Sequence, residues 1–333
     1  METNVKIVFS APGVVEVQRE EVDLSALPGG QVWVKNLFSM VSPGTELACL
    51  AGKNSAWFSM PKSPGYAAVG EVVAVGAGVE GLRVGERVFH NGPHMGWSRM
   101  NADEALPVPE GVDGKLVPST QLANIAMAST TVSNMQVGDH VAVVGQGMIG
   151  NLASQLARLQ GAIVHDIDVS DSRLEVSRAC GSRYTLSPKR CALKAELDSA
   201  TGGSGVTTLI DATGSSRVIV ESVPLVAPMG EIILLGTPRD EYQCDVTSVF
   251  GACHRQGITI KGAHVGHAPR RKTANLKHSS ERKSRIILDL IHAGKLQIAP
   301  LISHVLKPSE APQIYGELAK GNERVLGVVF DWA

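Results

Sequence analysis

The sequence contains few cysteines, and none of them belongs to a C-x-x-C motif. The five are odd in number and widely spaced: Cys49, Cys180, Cys191, Cys244 and Cys253. A disulfide framework needs pairs of cysteines, and a structural zinc lobe needs clustered thiolates. The spacing therefore argues against both, and we expect free, buried thiols.

Net charge, long apolar runs and a secretion leader are also lacking. The net charge is −1, which gives no general attraction to nucleic acid or to a membrane surface. No apolar run approaches the ~20 residues of a membrane-spanning helix. The first residues, METNVKIVFSAPG, show no basic segment followed by an apolar one. We expect a cytoplasmic protein whose partner is a small-molecule substrate, with no nucleic acid and no membrane.

The chain does have enough apolar residues for two domains. It has 333 residues, of which 44% are hydrophobic and 19% charged, as in globular proteins. Residues 1–118 contain short alternating runs broken by glycine turns, and no stretch there has helical periodicity over three turns. Strands alternate with helices in residues 119–262. The tail, residues 263–333, is predicted to form two helices and two strands and to return to the first domain.

The middle region predicts a doubly wound parallel sheet. HVAVV is a continuous apolar strand of the kind that is buried on both faces of such a sheet. MIGNLASQLARLQG has apolar residues at helical spacing and ends at Gly161. Further strands are predicted in AIVHDID, TTLIDATG, EIILLGTP and GITIKG, with a helix at SRVIVESVPLVA. The fold class is therefore α/β, with a β-rich domain joined to a doubly wound parallel sheet.

A glycine motif marks a candidate dinucleotide site. Gly145, Gly147 and Gly150 form G-x-G-x-x-G directly after a predicted strand and at the start of a predicted helix, and Asp168 ends the next strand. The glycines allow a tight turn, close approach of the pyrophosphate and close packing of helix on strand. The helix N-terminus offers free N–H groups to the phosphates. An acid at Asp168 can accept both ribose hydroxyls and would repel a 2′-phosphate, which favours NAD over NADP.

Other residues around the motif and at two later strand ends are candidates for contact with the cofactor. DATG and LGTP follow predicted strands, at the sheet edge where ligands bind in open α/β folds. Arg173 could lie over the adenine or be a solvated surface residue, and the two threonines could be plain turn residues. The additional cofactor candidates are Met148, Ile149, Arg173, Thr213, Gly236 and Thr237.

Several stretches together resemble the medium-chain dehydrogenase/reductase superfamily. They are PGTEL, SPGYAAVGEVVAVGAGVEGLRVGERV, VGDHVAVVGQGMIGNLASQLARLQGA, DATG, MGEIILLGTP and LISHVLKPSEAPQIYGELAKG. The resemblance implies a GroES-like catalytic domain from residues 1–118 and 263–333, and a Rossmann domain from residues 119–262. It also implies an active site in the cleft between the domains. The family often pairs the edge strands of two Rossmann sheets, so we expect a homodimer, with GITIKG and EIILLG supplying the edge.

The zinc-binding branch of that superfamily shares the surrounding motifs with this chain but has different residues at the positions of its zinc ligands. Its first ligand is a cysteine where this chain has Pro43, and its second is a histidine where this chain has Tyr66, followed by Ala67 in place of a glutamate. Proline and alanine cannot bind zinc, and a neutral phenol is a poor ligand. We therefore predict a zinc-free member with no metal site. His90 and His94 are four residues apart, but HNGPH is predicted to be a loop rather than a helical metal pair.

Two zinc-free subgroups remain open as relatives. The VSPGTE form is similar to the dehydrogenase of the hydroxyethyl group in bacteriochlorophyll synthesis and to dehydrogenases of sugar- or cyclitol-like alcohols. The other subgroup is the quinone and enoyl reductases, which usually prefer NADPH and lack the ribose acid. Asp168 favours the first, so the resemblance implies interconversion of a secondary alcohol and a ketone. A third possibility is a nucleotide-binding protein that has lost catalysis.

Without a metal, a side chain must manage the hydroxyl proton of the substrate. Tyr66 occupies the position from which the family's metal ligand reaches the substrate, and Thr45 could relay a proton. Glu46 is a candidate partner or a structural acid, and His94 is a candidate base or a surface loop residue. Tyr66 could alternatively be a core aromatic. The basic stretch 268–285 could attract an anionic substrate or be a solvated loop.

Overall fold

The structure is a computed structural model, and it describes residues 1–53, 58–271, 273 and 276–333. Lys272, Ala274 and Asn275, which belong to the basic stretch 268–285, lie outside the described residues. The chain forms two units, one from residues 1–122 and 284–333 and the other from residues 123–283.

The first unit is built mainly from antiparallel strands. Its first strands form a two-stranded sheet, and the others form a seven-stranded sheet in the order β14-β15-β3-β4-β5-β7, with β6 paired to β3. The tail strands β14 and β15 extend this sheet, since β15 pairs antiparallel with β3. The elements are β1 Glu2–Ala11, β2 Val14–Val22, β3 Gln31–Met40, α1 Pro43–Leu50, β4 Ala68–Val75, β5 Arg87–His90, β6 Trp97–Asn101, β7 Leu106–Pro107, β14 Ile302–Leu306, α9 Ala311–Ala319 and β15 Gly327–Asp331.

A buried aromatic cluster holds the tail to the start of the chain. Phe9 of β1 meets Tyr315 of α9 edge-on, with ring centroids 5.1 Å apart. Phe330 of β15 lies against the same tyrosine at 6.3 Å. Burial of such rings supplies about 2–3 kcal/mol each, so the tail is an integral part of the first unit.

The second unit is a six-stranded parallel sheet in the order β10-β9-β8-β11-β12-β13, with helices between its strands. Strand β8 is buried except at its first residue, as expected for the centre of a parallel sheet. Two helices carry the chain between the units: α2 Ser119–Val132 and α8 Ser280–His292. The other elements are β8 His140–Val144, α3 Met148–Leu159, β9 Ile163–Ile167, α4 Asp171–Ala179, β10 Tyr184–Leu186, α5 Leu193–Thr201, β11 Val206–Asp211, α6 Ser216–Ser222, β12 Val226–Leu234, α7 Thr247–Gln256 and β13 Thr259–Gly262.

This architecture confirms the predicted fold class and differs from the sequence analysis in detail. The short helix α1 lies in the first unit, where no long helical periodicity is present, because its eight residues make only about two turns. The units divide at residues 122 and 283 rather than at the predicted boundaries of 118 and 263. The side chain of Asn124 donates to the backbone carbonyl of Ser280 and ties α2 to the start of α8. In the described part of the chain, no helix is long and apolar enough to span a membrane.

Candidate functional site

The glycine motif forms the turn between β8 and α3. Gly145 follows the last residue of β8 and has φ +91°, a conformation that favours glycine. Gly147 is the N-cap of α3, and no described side chain caps this end of the helix. The first N–H groups of α3 are thus free to bind an external acceptor, which is the usual arrangement of an anion site.

The three glycines are needed for different reasons. A Cβ at Gly150 would lie 1.7 Å from the carbonyl oxygen of Gly145, so no larger residue fits there. A Cβ at Gly147 would meet no atom within 4 Å. The absence of a side chain at Gly147 is therefore not required by the protein's own packing, and it leaves open space above the helix N-terminus. Such a cradle fits the pyrophosphate of a dinucleotide.

Asp168 lies beside this turn, directly after β9. Its carboxylate accepts the backbone N–H of Gln146 (2.6 Å) and that of Ser170 (2.8 Å). The residue is only 5% exposed. Each carboxylate oxygen keeps a further lone pair, so the group is fixed in place and still able to accept ribose hydroxyls. Arg173 has its Nη1 3.9 Å from the Asp168 carboxylate, and its side chain is 34% exposed.

Gln146 is part of the cradle and was missed by the sequence analysis. Besides bonding Asp168 through its backbone, it donates from its side chain to the carbonyl oxygen of Val143 (3.0 Å). It also accepts the Ser177 hydroxyl. Its position between two motif glycines was the available signal. Of the other predicted contacts, Met148 is buried and Ile149 is partly exposed.

The turns after β11 and β12 are organised by Asp211, which the sequence analysis also missed. Its carboxylate accepts the N–H and hydroxyl of Thr213 and the N–H of Gly214. Burial raises the pKa of Asp211, although these hydrogen bonds oppose the effect. A Cβ at Gly236 would lie 2.3 Å from the nitrogen of Gly214, and a Cβ at Gly214 would lie 2.4 Å from the carbonyl oxygen of Thr237. The two turns are therefore in close backbone contact, at the same sheet edge as the glycine motif.

Tyr66 lies in the first unit, in the turn before β4. Its hydroxyl donates to the hydroxyl of Ser42. Burial raises the pKa of Tyr66, hydrogen bonding with Ser42 and Thr45 lowers it, and the charges of Glu46 and Cys49 raise it further. The structure thus brings together the predicted residues Tyr66, Thr45 and Glu46, and adds Ser42. The phenol is held protonated at neutral pH, and its one O–H is donated to Ser42.

His94 and Glu46 are both buried, so His94 is not a surface loop residue. His94 is 0% exposed and Glu46 is 2% exposed. Nε2 of His94 lies 3.1 Å from Glu46, and its Nδ1 lies 2.7 Å from the Ser39 hydroxyl. The segment is a loop, as predicted, but it folds inward. Both ring nitrogens are occupied by protein groups, which leaves His94 no free nitrogen to serve as a base toward substrate.

The positions of the expected zinc ligands carry no donor set for a metal. Pro43 is the first residue of α1, and the Tyr66 phenol is engaged with Ser42. His90 is separately occupied, because its Nδ1 accepts the N–H of Gly92 and its Nε2 contacts Asn36 at 2.8 Å. No group of three or more His, Cys, Asp or Glu side chains that could hold a metal occurs among the described residues.

Two family models match the chain, in the order that the fold shows. Residues 28–115 match an alcohol dehydrogenase GroES-like domain, and residues 149–280 match a domain described as zinc-binding dehydrogenase. The second match lies within the second unit, residues 123–283. Together the two matches support the resemblance to the medium-chain dehydrogenase/reductase superfamily that the motifs indicate.

Several proteins that are similar to this chain are named as dehydrogenases. An alcohol dehydrogenase of Cupriavidus necator is 26% identical over 224 residues, which are 67% of this chain and 57% of that protein. The match therefore spans little more than half of the relative. The D-guloside 3-dehydrogenase of Escherichia coli is 30% identical over 172 residues, covering 50% of this chain and 49% of the relative. Galactitol-1-phosphate dehydrogenase of Escherichia coli has the same fold, with a TM-score of 0.84 at 18% identity over 98% of this chain and 99% of that one.

Proposed function

We propose that this protein is a zinc-independent, NAD(H)-dependent oxidoreductase that interconverts a secondary alcohol and a ketone. The observation that carries the proposal is the cradle of Gly145, Gly147 and Gly150, closed at its side by Asp168. This cradle has free N–H groups at the helix N-terminus and a fixed carboxylate. It also has open space at Gly147, where the protein's own packing would allow a side chain. The resemblance to the superfamily supports the reaction class, since the named relatives are dehydrogenases.

The proposal of NAD rather than NADP rests on Asp168. Its carboxylate is buried and held by two backbone N–H groups, so it cannot easily turn away from the ribose. A 2′-phosphate beside it would bring two anions together at short distance in a poorly solvated place. Arg173 is near enough to weaken this repulsion only through a loose contact at 3.9 Å. We therefore expect a clear preference for NADH.

The proposal of zinc independence rests on the chemistry of Pro43, Tyr66 and Ala67. These residues stand where the zinc-binding branch has its ligands and its glutamate, and two of them have no donor atom. The third, Tyr66, donates its hydroxyl to Ser42, and a neutral phenol is a poor ligand beside imidazole, thiolate or carboxylate. Without a metal, a side chain must donate or accept the hydroxyl proton of the substrate.

Tyr66 is proposed as the general acid that protonates the substrate oxygen. Bound nicotinamide would supply or accept the hydride. Tyr66 keeps its proton at neutral pH. Its O–H would turn from Ser42 to the substrate and give this proton to the oxygen of a ketone during reduction. Thr45 and Ser42 hydrogen-bond the phenol. Either hydroxyl could return a proton to the phenol after transfer.

The substrate is proposed to be polar, of a sugar, polyol or cyclitol type. The support is the similarity to D-guloside 3-dehydrogenase over half of the chain and the resemblance of VSPGTE to sugar- and cyclitol-type dehydrogenases. The experiment is a turnover assay on polyol, quinone and enone panels with NADH and NADPH, run on protein whose metal content has been measured. Turnover of polyols with NADH and without stoichiometric zinc is expected. Turnover of quinones with NADPH would contradict the proposal, and tight NADH binding without any turnover would indicate a protein that has lost catalysis.

We also propose that two copies associate through β13. This strand is at one edge of the six-stranded sheet, and Ile260 in it is 41% exposed. An unpaired edge with exposed apolar residues is a ready site for strand pairing. Light scattering should give a dimer at micromolar concentration, and a monomer would contradict the idea.

A further inference from the structure

We propose that Glu46, held by His94 and Tyr315, is the positioning residue that fixes Tyr66 through Ser42. The inference rests on the proposed role of Tyr66 and deepens it. The four residues Glu46, His94, Tyr315 and Ser42 are called the carboxylate cluster below. Ser42 and Glu46 lie one helical turn apart, whereas His94 and Tyr315 reach Glu46 from distant parts of the sequence.

The carboxylate of Glu46 accepts three hydrogen bonds inside the first unit. The backbone N–H of Ser42 donates to Oε1 at 2.7 Å. Nε2 of His94 contacts Oε2 at 3.1 Å, and the hydroxyl of Tyr315 donates to the same oxygen. A carboxylate that is 2% exposed and bound from three sides has one position. It is therefore a rigid reference point rather than a mobile surface acid.

The donors and acceptors in this network can be assigned from two groups that have only one role. The Trp332 indole N–H can only donate, and the ionised Glu46 carboxylate can only accept. The Trp332 indole N–H donates to the Ser39 hydroxyl oxygen at 2.9 Å. The Ser39 hydroxyl can then donate to Nδ1 of His94 (2.7 Å), and Nε2–H of His94 donates to Glu46. One neutral tautomer satisfies every bond. The network thus needs no metal and no external ion to be complete.

Ser42 connects this reference point to Tyr66. Its backbone is held twice by Glu46, because its N–H donates to the carboxylate and its carbonyl accepts the Glu46 N–H at 2.9 Å. Its hydroxyl accepts the phenol of Tyr66. Since Ser42 is the N-cap of α1, the start of the helix, the carboxylate and the phenol form one rigid piece. Glu46 touches neither substrate nor cofactor in this account, and it acts through Ser42.

The same arrangement has an electrostatic signature. Burial raises the pKa of Tyr66, and the charge of Glu46 adds to that effect, whereas the hydrogen bonds of Ser42 and Thr45 lower the pKa. Cys49 also raises it, and His94 and Tyr315 are the other titratable groups around the carboxylate. Removal of the Glu46 charge should therefore lower the pKa of Tyr66. Removal of the Ser42 hydroxyl should raise it, because that hydroxyl accepts from the neutral phenol but can turn to donate to the phenolate, which is the stronger, charge-assisted bond. A loss of structure alone would not give opposite signs.

The experiment follows Tyr66 by nuclear magnetic resonance of ring-labelled tyrosine. The chain has 4 tyrosines, and the Tyr66→Phe variant identifies the signal of Tyr66. We expect Glu46→Gln to lower its pKa, Ser42→Ala to raise it, and the control Glu71→Gln, an exposed acid of β4, to leave it unchanged. Equal pKa values in all variants, or shifts of the same sign in the first two, would overturn the proposal. If Glu46→Gln does not fold, Tyr315→Phe removes one anchor of the carboxylate, and the Tyr66 signal should then broaden or move.

Turnover supplies a second, independent readout. Glu46→Gln should lower kcat by about 10- to 100-fold, the effect of a displaced catalytic group, with the KM for NADH unchanged. An unchanged kcat together with a shifted Tyr66 pKa would refute the proposed role of Tyr66 but not the cluster. A kcat lost without any change at Tyr66 would refute the cluster. The two failures are therefore distinguishable.

Discussion

Gly147→Ala should change the stability of the protein little but should weaken its binding of NADH. The residue has φ −66° and ψ −176°, which alanine adopts freely, and a Cβ there meets nothing within 4 Å. Loss of glycine at an N-cap costs about 0.5–1 kcal/mol, and the reduced freedom of the unfolded chain returns about 0.4–1 kcal/mol. The free energy of unfolding should therefore change by less than about 1 kcal/mol.

The same methyl group would stand in the space left for the pyrophosphate. A hydrogen bond from a backbone N–H to a charged group is worth about 1.5–3 kcal/mol. Loss of one such bond should weaken NADH binding roughly 10- to 100-fold. The assay is a fluorescence titration with NADH beside a denaturant curve for each variant.

Two other glycines serve as matched controls. Gly316→Ala in α9 also adds a Cβ that meets nothing within 4 Å, so it should gain about 0.5–1 kcal/mol of stability and bind NADH normally. Gly150→Ala adds a Cβ 1.7 Å from the carbonyl oxygen of Gly145, so it should lose stability as well as binding. If Gly147→Ala binds NADH as well as the wild type, the cradle is not the pyrophosphate site.

The remaining predictions concern Asp168 and His90. Asp168→Ala should weaken NADH binding and reduce the discrimination against NADPH in parallel titrations, and a wild-type preference for NADPH would contradict the role of the acid. Burial lowers the pKa of His90 from 6.5 to about 4, so its contribution to stability is present above pH 6.5 and is lost as the pH falls toward 4. The loss is at most about 3 kcal/mol. Denaturant curves at neutral and acidic pH should show a smaller loss of stability in His90→Gln than in the wild type. The control is His292→Gln at an exposed position, which should lose as much stability as the wild type. Equal losses in all three proteins would refute this role of His90.

The glycine motif and its acid could be read from the sequence because their requirements are local. A turn with positive φ and a close backbone approach needs glycine at fixed spacing, and Gly145 and Gly150 meet both conditions. Strand β10 and helix α5 were not predicted. Strand β10 has only three residues, and α5 buries only Leu197, so neither leaves a clear periodic pattern.

The carboxylate cluster could not be derived from the sequence, because its contacts are long-range. His94 is 55 residues from Ser39 and 48 from Glu46, and Tyr315 is 269 residues from Glu46. The sequence around His94 contains glycine and proline, which indicate a loop but not whether the loop is buried. Tyr315 lies in a helix with an ordinary apolar face, and nothing in its neighbours marks a polar partner.

The central claim is that the substrate oxygen is protonated by Tyr66 and is not bound by a zinc ion. The most direct test compares kcat for ketone reduction by NADH between wild-type protein and Tyr66→Phe, both dialysed against chelator and checked for metal. The account predicts full activity of the metal-free wild type and a kcat lower by roughly 10²–10⁴-fold in Tyr66→Phe, with equal affinity for NADH. Wild-type turnover in Tyr66→Phe, or activity of the wild type that returns only when zinc is added, would contradict it.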